Sequence, residues 1–242
     1  LISINAMLVV NFYKGDNKLK EYKVKTYEEA IGVLEEIGLL PLAPLIPDFP
    51  SLNTITLSEH WHSETEFDPW IWRTKFSTDG VAGYGKFIKK KSVLVSRQLL
   101  PYVKRVLGYA ESVEERYFNG NISKEAFDIY KTITQEEGID TRALRIKAGL
   151  KESDKKRIFE NALLELQGSM DIVISGIKEK KNDNGEKNGW SSTAFETYDS
   201  WARRNRIDTF NTDKKEAKKF LITHFSNLCS NESVKKFEKI FK

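Results

Sequence analysis

Two histidines and four acids crowd into one short stretch of the sequence, and their side chains can do chemistry: His60, His62, Glu59, Glu64, Glu66 and Asp68. Alternate residues of a strand face the same side, so the two histidines have a spacing that metal ligands use. Two histidines among loosely spaced acids are more typical of a surface loop in which Trp61 packs inward. We therefore expect no metal site here and no small-molecule cofactor.

Other catalytic motifs are missing from the sequence. The glycines at 80, 83 and 85 match neither a phosphate loop nor a dinucleotide-binding turn. No Gly-x-Ser-x-Gly motif occurs, and the single cysteine, Cys229, lies five residues after His224, which is a poor basis for a catalytic dyad. One cysteine also excludes an intramolecular disulfide and a cysteine-rich zinc site.

Charge is segregated along the chain. Residues 28–68 hold nine acids and no Lys or Arg, whereas residues 86–105 hold seven bases and no acid. A basic surface attracts polyanions because binding releases their counterions. Nucleic acid is therefore the partner that this distribution suggests, and a plain solvated face is the alternative.

The composition is that of a globular protein, with 40% hydrophobic and 31% charged residues, so disorder is excluded as the main state. The longest apolar stretch, residues 37–46, is interrupted by two prolines and falls short of the ~18 residues that span a bilayer. Residues 1–10 have no charge ahead of their apolar positions, unlike a secretory signal. We expect a cytoplasmic protein without a membrane partner.

The elements that must position any site are clearest after Gly120. A first helix begins at Ser123, carries Ala126, Phe127, Tyr130 and Ile133, and ends near Gly138. A second begins at the cap Asp140, carries Leu144 and Ala148, and closes at Gly149. A third runs from about Ser153 to Leu166 with an apolar stripe of five residues: Ile158, Phe159, Ala162, Leu163 and Leu166.

After these helices, residues 170–177 favour a strand, residues 178–188 a polar loop and residues 190–195 a returning strand. Three helices followed by a strand, a loop and a strand are the order of a winged helix-turn-helix, whose third helix enters the major groove. The alternative is a winged helix that serves only as a protein-contact module.

The first part of the chain is less regular. Residues 8–13 favour a strand, Asp16-Asn17 a turn, and residues 27–37 a helix between the cap Thr26 and Gly38. The prolines at 41, 44, 47 and 50 keep the next stretch extended. Residues 81–89 and 92–95 favour neighbouring strands across Lys89-Lys90-Lys91, and a helix starting at or after Ser96 is reset at Pro101.

The sequence thus predicts an α+β protein in three parts. The first unit covers residues 1–120, the second unit is the winged-helix domain at residues 121–206, and the C-terminal extension is a helical segment at residues 207–242. The first unit is expected to be a second, diverged winged helix, which makes the arrangement tandem.

Several blocks of the sequence resemble a known family. Residues 162–173 (ALLELQGSMDIV), followed by Trp190-Ser191-Ser192-Thr193 and Asp199-Ser200-Trp201, resemble the AlkZ/YcaQ winged-helix DNA glycosylases. Residues 68–73 (DPWIWR) and 83–91 (GYGKFIKKK) are similar to a shorter, AlkZ-related branch. The resemblance covers roughly residues 28–204 and implies a tandem winged-helix protein that binds duplex DNA and excises alkylated or crosslinked bases.

The chain departs from the catalytic signature of that family, a Gln followed two residues later by Gln or Asp. The glutamines are Gln98, Gln135 and Gln167, and none has such a partner. The segment Gln135-Glu136-Glu137 comes nearest and is interpreted as a solvated helix end. Whether the protein is an enzyme is therefore left open by the sequence.

The leading hypothesis is a duplex DNA-binding, DNA glycosylase-like protein with a role in DNA repair. Its expected DNA-binding residues are basic: Lys155, Lys156, Arg157, Lys180, Lys181, Lys187, Arg203, Arg204, Lys89, Lys90 and Lys91. One alternative is an active glycosylase in which Asp68 or Glu66 stabilises the cation formed as the base leaves. Another is a non-enzymatic regulatory or protein-interaction module.

Overall fold

The computed structural model describes residues 21–180, 184, 189, 191–208 and 212–242. Three features expected from the sequence lie outside these residues: the strand at 8–13, the turn at Asp16-Asn17, and most of the loop at 178–188. The described chain is a mixed α+β structure of helices and two small antiparallel sheets.

From residue 21 onward, the first unit contains five helices, three strands and one 3-10 turn at Ser58–His60: α1 (Tyr27–Ile37), β1 (Leu39–Pro41), α2 (Leu52–Ile55), α3 (Pro69–Thr78), β2 (Ala82–Ile88), β3 (Lys91–Ser96), α4 (Leu100–Leu107) and α5 (Val113–Phe118). The second unit contains α6 (Lys124–Gln135), β4 (Ile139–Asp140), α7 (Thr141–Lys147), α8 (Lys156–Gly168), β5 (Ile172–Lys178), β6 (Ser192–Thr197) and α9 (Tyr198–Arg204). The C-terminal extension contains α10 (Lys214–Ser226) and α11 (Asn231–Ile240).

Most helices begin where a side chain can satisfy the free N–H groups of the first turn. Thr26 forms a capping box with Glu29 at α1, Ser123 accepts from Ala126 N at α6, and Asp140 accepts from Arg142 N at α7. Gly38 ends α1 in the left-handed conformation. These caps confirm the predicted helix starts at α1, α6 and α7.

The two sheets have the same strand arrangement. The first has the order β1-β3-β2 and the second β4-β6-β5, with every pairing antiparallel. In each, a short strand after the first helix pairs with the second strand of a hairpin. The predicted neighbouring strands around Lys89-Lys90-Lys91 are confirmed as β2 and β3.

The third helix of each unit packs on the hairpin of the other: α3 lies against β5, α8 lies against β2, and the two strands approach each other. Thr78 Oγ1 donates to Ser175 O at 3.2 Å, and Lys86 N donates to the Gln167 side chain at 2.9 Å. One hydrophobic core therefore runs through both units.

The core of the second unit largely follows the predicted stripe. Phe159, Ala162, Leu163 and Leu166 are buried, and Phe127 and Tyr130 pack half-buried against the same core. Ile158, however, is 43% exposed, so its assignment to the stripe is wrong. Helix α8 places Phe159 inward, and the neighbouring residue points about 100° away from it.

Candidate nucleic-acid interface

The loop between α7 and α8 is held by one arginine. Arg145 donates from Nε to Leu150 O at 3.1 Å and from Nη2 to Lys151 O at 3.0 Å and Glu152 O at 3.1 Å. Leu144 and Leu150, on either side of the turn, are buried. The start of α8 is therefore fixed relative to α7 by backbone contacts as well as by the core.

Three consecutive cations lie at the start of α8: Lys155, Lys156 and Arg157. The helix has no acid in its first turn and no side-chain cap, so the positive end of its dipole lies beside these cations. The backbone N–H groups of Lys155 and Lys156 donate to Glu152 O and Ser153 O. Cations at this position oppose the helix dipole, which means that they do not serve the stability of α8. The positive end of a helix dipole beside cationic side chains attracts anions.

The charge of these cations is only partly compensated. Lys155 lies 3.3 Å from a Glu152 oxygen and Lys156 lies 3.8 Å from a Glu160 oxygen. Lys155 is half-buried, and the other three side chains are largely exposed. Exposed ion pairs contribute little free energy, so they are readily exchanged for another anion. Arg157 is exposed and has no ion pair with any described residue.

The loop after β5 continues this basic character. Lys178 and Lys180 are exposed, and Lys181 and Lys187 lie outside the described residues. Arg142 on α7 lies 3.5 Å from Asp140 and donates to Lys178 O at 3.4 Å, which joins the base of the loop to the second helix.

The other predicted cations divide between α9 and the first hairpin. Arg204 binds the Glu196 carboxylate through two nitrogens, at 2.7 and 3.2 Å, so its charge is compensated. Arg203 is exposed and has no ion pair within the described part of the chain. Lys89, Lys90 and Lys91 are exposed at the tip of the β2–β3 hairpin.

Asp68 was expected to lie with the neighbouring acids in a hydrated surface loop, and that expectation is wrong. The residue is 1% exposed, and its carboxylate accepts hydrogen bonds from the backbone N–H groups of Trp70 at 2.8 Å, His62 at 3.0 Å and Glu64 at 3.1 Å. It is the N-cap of α3. The sequence signal was present, because Asp followed by Pro is typical of a cap and a first helical position.

Glu66, by contrast, is exposed and lines a cavity of about 530 Å³ that was not anticipated. The wall is part aromatic and apolar and part acidic: Tyr27, Phe67, Ile71, Trp72, Glu28 and Glu64. Cavities of this size accept small molecules or single bases. Among the described residues, no group of three or more His, Cys, Asp and Glu side chains is placed to hold a metal ion.

The three tryptophans between residues 61 and 72 have different surroundings, and Trp72 is the one that lines this cavity. Trp72 is buried and donates to Glu66 O at 2.7 Å, and Trp61 is half-buried and donates to Thr56 Oγ1 at 2.9 Å. Trp70 is 42% exposed, with the Arg73 guanidinium 3.4 Å from its ring centre. Trp70 alone of the three keeps a large exposed ring for stacking.

These features agree with a comparison to known families, in which residues 24–242 match the family described as AlkZ related. The chain belongs to the AlkZ-related family. The match confirms the resemblance and extends it through α10 and α11. No curated protein and no solved structure matches the chain.

The glutamines of this AlkZ-related protein have no free catalytic pair. Gln167 is buried, donates to Leu163 O at 3.1 Å and accepts from Lys86 N. Gln135 is the last residue of α6, and Glu137 after it accepts from the backbone and hydroxyl of Thr197, so this segment is tied to the start of α9.

Within the described ranges, no helix has the length and apolar character needed to cross a membrane.

Proposed function

We propose that this AlkZ-related protein binds duplex DNA through a winged helix-turn-helix in its second unit. The order α6, β4, α7, α8, β5, loop and β6, with strand order β4-β6-β5, is the order of that motif. Helix α7, the Arg145-bound turn and α8 then form the helix-turn-helix, and α8 is the helix that enters the major groove.

The observation that carries the proposal is the basic, uncapped start of α8. A recognition helix contacts DNA with its N-terminal residues, and in α8 these are Lys156, Arg157 and the exposed Ile158. The other end of the helix is occupied by the first unit, since Gln167 accepts from Lys86 N. The exposed end thus has the charge that phosphate contacts require.

The first unit has the same element and strand order, which supports a tandem arrangement of two winged helices. Its third helix, α3, begins in very different surroundings. Asp68 is buried at its N-terminus, and the exposed Glu64 and Glu66 lie beside it. Because these acids repel phosphates, the two units do not contact DNA in the same way.

The proposal is tested by fluorescence anisotropy of a labelled duplex at several salt concentrations. If ~4–6 phosphates are neutralised, the logarithm of the affinity falls with that of the salt concentration with a slope of ~0.9 per phosphate. The double variant Lys156→Gln/Arg157→Gln is expected to weaken binding and lower the slope by about 1–2. Lys131→Gln on α6 is the control, since it removes one exposed lysine from the first helix of the unit. An affinity for duplex that does not change with the salt concentration contradicts the proposal.

The Glu66 cavity supports a second candidate function, base excision. Aromatic walls suit a base taken out of the helix, and a carboxylate at the edge suits the positive charge that develops on the sugar. Of the two acids considered from the sequence, Glu66 is the one that faces a cavity. Release of a methylated base by the wild type, and its loss in Glu66→Gln, is the result that favours this candidate.

A further inference from the structure

The tip of the first hairpin meets the C-terminal helix at a cluster of positive charge. Lys236 and Lys239 on α11 are electrostatic neighbours of Lys89 on the tip. Slight burial, and then the charges of these two lysines, lower the pKa of Lys89. Like charges that lie near each other repel, so an anion bound between them stabilises the arrangement.

No acid in the described part of the chain compensates this cluster by an ion pair. Lys89, Lys90, Lys91, Lys236 and Lys239 all lack such a partner there, whereas lysines elsewhere, such as Lys75 and Lys147, have one. Lys239 is about 150 positions from the hairpin and outside both units, and only the fold brings it to Lys89.

The backbone of the tip is unusual for its sequence. Lys89 and Lys90 have φ angles of 49° and 60°, and Ile88 pairs with Lys91, so the two lysines form a two-residue turn in the left-handed conformation. Asn and Gly are the residues that such turns favour, because side chains with a Cβ are strained there. Lysine at both positions places two charges at a rigid point at a cost to stability, which indicates a role other than folding.

A basic cavity is lined in part by the same tip. It has a volume of about 320 Å³, and its wall includes Lys86, Lys89, Lys90 and Arg116. Arg116 is 2% exposed, and its Nε has no hydrogen-bond partner among the described residues. The acid on this wall, Glu165, already accepts from the backbone and hydroxyl of Ser123.

We propose that the hairpin tip and α11 together bind the phosphate backbone of DNA, as a second contact zone besides the start of α8. The zone comprises Lys89 and Lys90 on the tip and Lys236 and Lys239 on the helix. This inference rests on the proposed duplex binding. It adds the C-terminal extension to the DNA-binding surface, and it makes Lys239 a contact residue although it is remote in sequence from both hairpins.

The sharpest test separates folding from binding. The variant Lys89→Asn/Lys90→Gly gives the turn the residues it favours, so we expect the melting temperature to rise while the affinity for duplex falls. The variant Lys236→Gln/Lys239→Gln leaves the turn unchanged and is expected to lower the salt slope by ~0.9 for each phosphate that it no longer neutralises. Lys131→Gln again serves as the control.

The outcomes distinguish this inference from the proposal on which it rests. If wild type binds duplex and the α8 variant weakens it, but both variants of the contact zone keep the wild-type affinity and slope, the inference alone is overturned. If wild type does not bind duplex even at low salt, the proposed function fails and the inference fails with it. A higher melting temperature with weaker, less salt-dependent binding in Lys89→Asn/Lys90→Gly supports the contact zone and the proposed duplex binding.

Discussion

Arg116 and Asp171 form a buried ion pair between the two units, with Nη2 2.5 Å from Oδ2. Lys104 Nζ also lies 3.4 Å from the other carboxylate oxygen and donates to Met170 O at 2.9 Å. Asp171 lies directly before β5, and both cations belong to the first unit. A single carboxylate therefore holds the second hairpin to helices α4 and α5.

Breaking this pair from one side is expected to destabilise the protein strongly. Arg116→Leu leaves the Asp171 carboxylate with Lys104 as its one ion-pair partner among the described residues, and removal of one partner of a buried pair typically costs about 3–5 kcal/mol. The double variant Arg116→Leu/Asp171→Asn is expected to recover only part of the loss, because it removes the buried charge of Asp171 but also takes the carboxylate partner from Lys104. Urea unfolding of the single and double variants measures both free energies, and equal stability of Arg116→Leu and wild type contradicts the role of the pair.

The apolar stripe of α8 gives a second prediction. Leu163→Ala is expected to lower the free energy of unfolding by about 2–5 kcal/mol, since a buried side chain is replaced by a cavity. Ile158→Ala, five positions earlier and 43% exposed, is the control and is expected to change it by less than about 0.5 kcal/mol. Thermal melting of the two variants checks the helix register. Similar losses at both positions contradict it.

Helix starts could be predicted from the sequence because they depend on neighbouring residues. Thr26, Ser123 and Asp140 cap helices through groups two or three residues away, so their local pattern was sufficient. Asp68 has the same kind of signal and was still assigned wrongly, because a run of nearby acids also fits a hydrated surface.

The composite sites could not be predicted in the same way. Lys89 and Lys239 are brought together only by the docking of α11, whose Phe237 stacks on Phe225 and contacts Phe49 edge-on. A contact over that separation leaves no periodicity or spacing in the sequence. The same holds for the Glu66 cavity, whose wall needs Tyr27 from α1.

His224 gives a prediction for pH. Burial lowers the pKa of His224, against the smaller opposite effect of its hydrogen bond to Ile37 O at 3.1 Å. The unfolded chain therefore binds a proton more readily, at its usual pKa of about 6.5. The contribution of neutral His224 to the free energy of unfolding is fully present above that pH and is lost as the pH falls toward the lower pKa of the folded state. Urea unfolding between pH 7.5 and 5.5 should show this loss, and His224→Gln should show less of it; parallel pH dependence of the two proteins contradicts the assignment.

Asp68 is expected to act on stability. Asp68→Ala leaves three backbone N–H groups without their acceptor, and loss of an N-cap side chain typically costs about 0.5–2 kcal/mol. Asp68→Asn keeps one oxygen acceptor and is expected to lose less, because Asn is also a good N-cap. Thermal melting orders the variants, and we expect wild type to be the most stable and Asp68→Ala the least.

The last prediction is that the protein releases little or no 7-methylguanine or crosslinked purine from duplex DNA. Departure of the base leaves positive charge on the sugar, which an enzyme must meet with a carboxylate or an aligned dipole and an oriented water. The resembled glycosylases use a Gln followed two residues later by Gln or Asp, and this sequence has no such pair. The Gln167 side chain is already hydrogen-bonded, since it accepts from Lys86 N and donates to Leu163 O. The Asp68 carboxylate already accepts hydrogen bonds from three backbone N–H groups. Of the two candidate acids, Glu66 at the cavity is therefore the one that could stabilise the sugar cation.

Single-turnover release of a labelled methylated base, with protein in excess over duplex, decides the matter. Asp68→Asn is a poor probe, because a loss of activity there would report damage to the α3 cap as well as chemistry. Glu66→Gln is the better one, since Glu66 is exposed and its backbone carbonyl, which accepts from Trp72 Nε1, is unchanged by the substitution. Rapid release by wild type that disappears in Glu66→Gln, with unchanged melting temperature and duplex affinity, would overturn the prediction and make base excision at the Glu66 cavity the function of this unit.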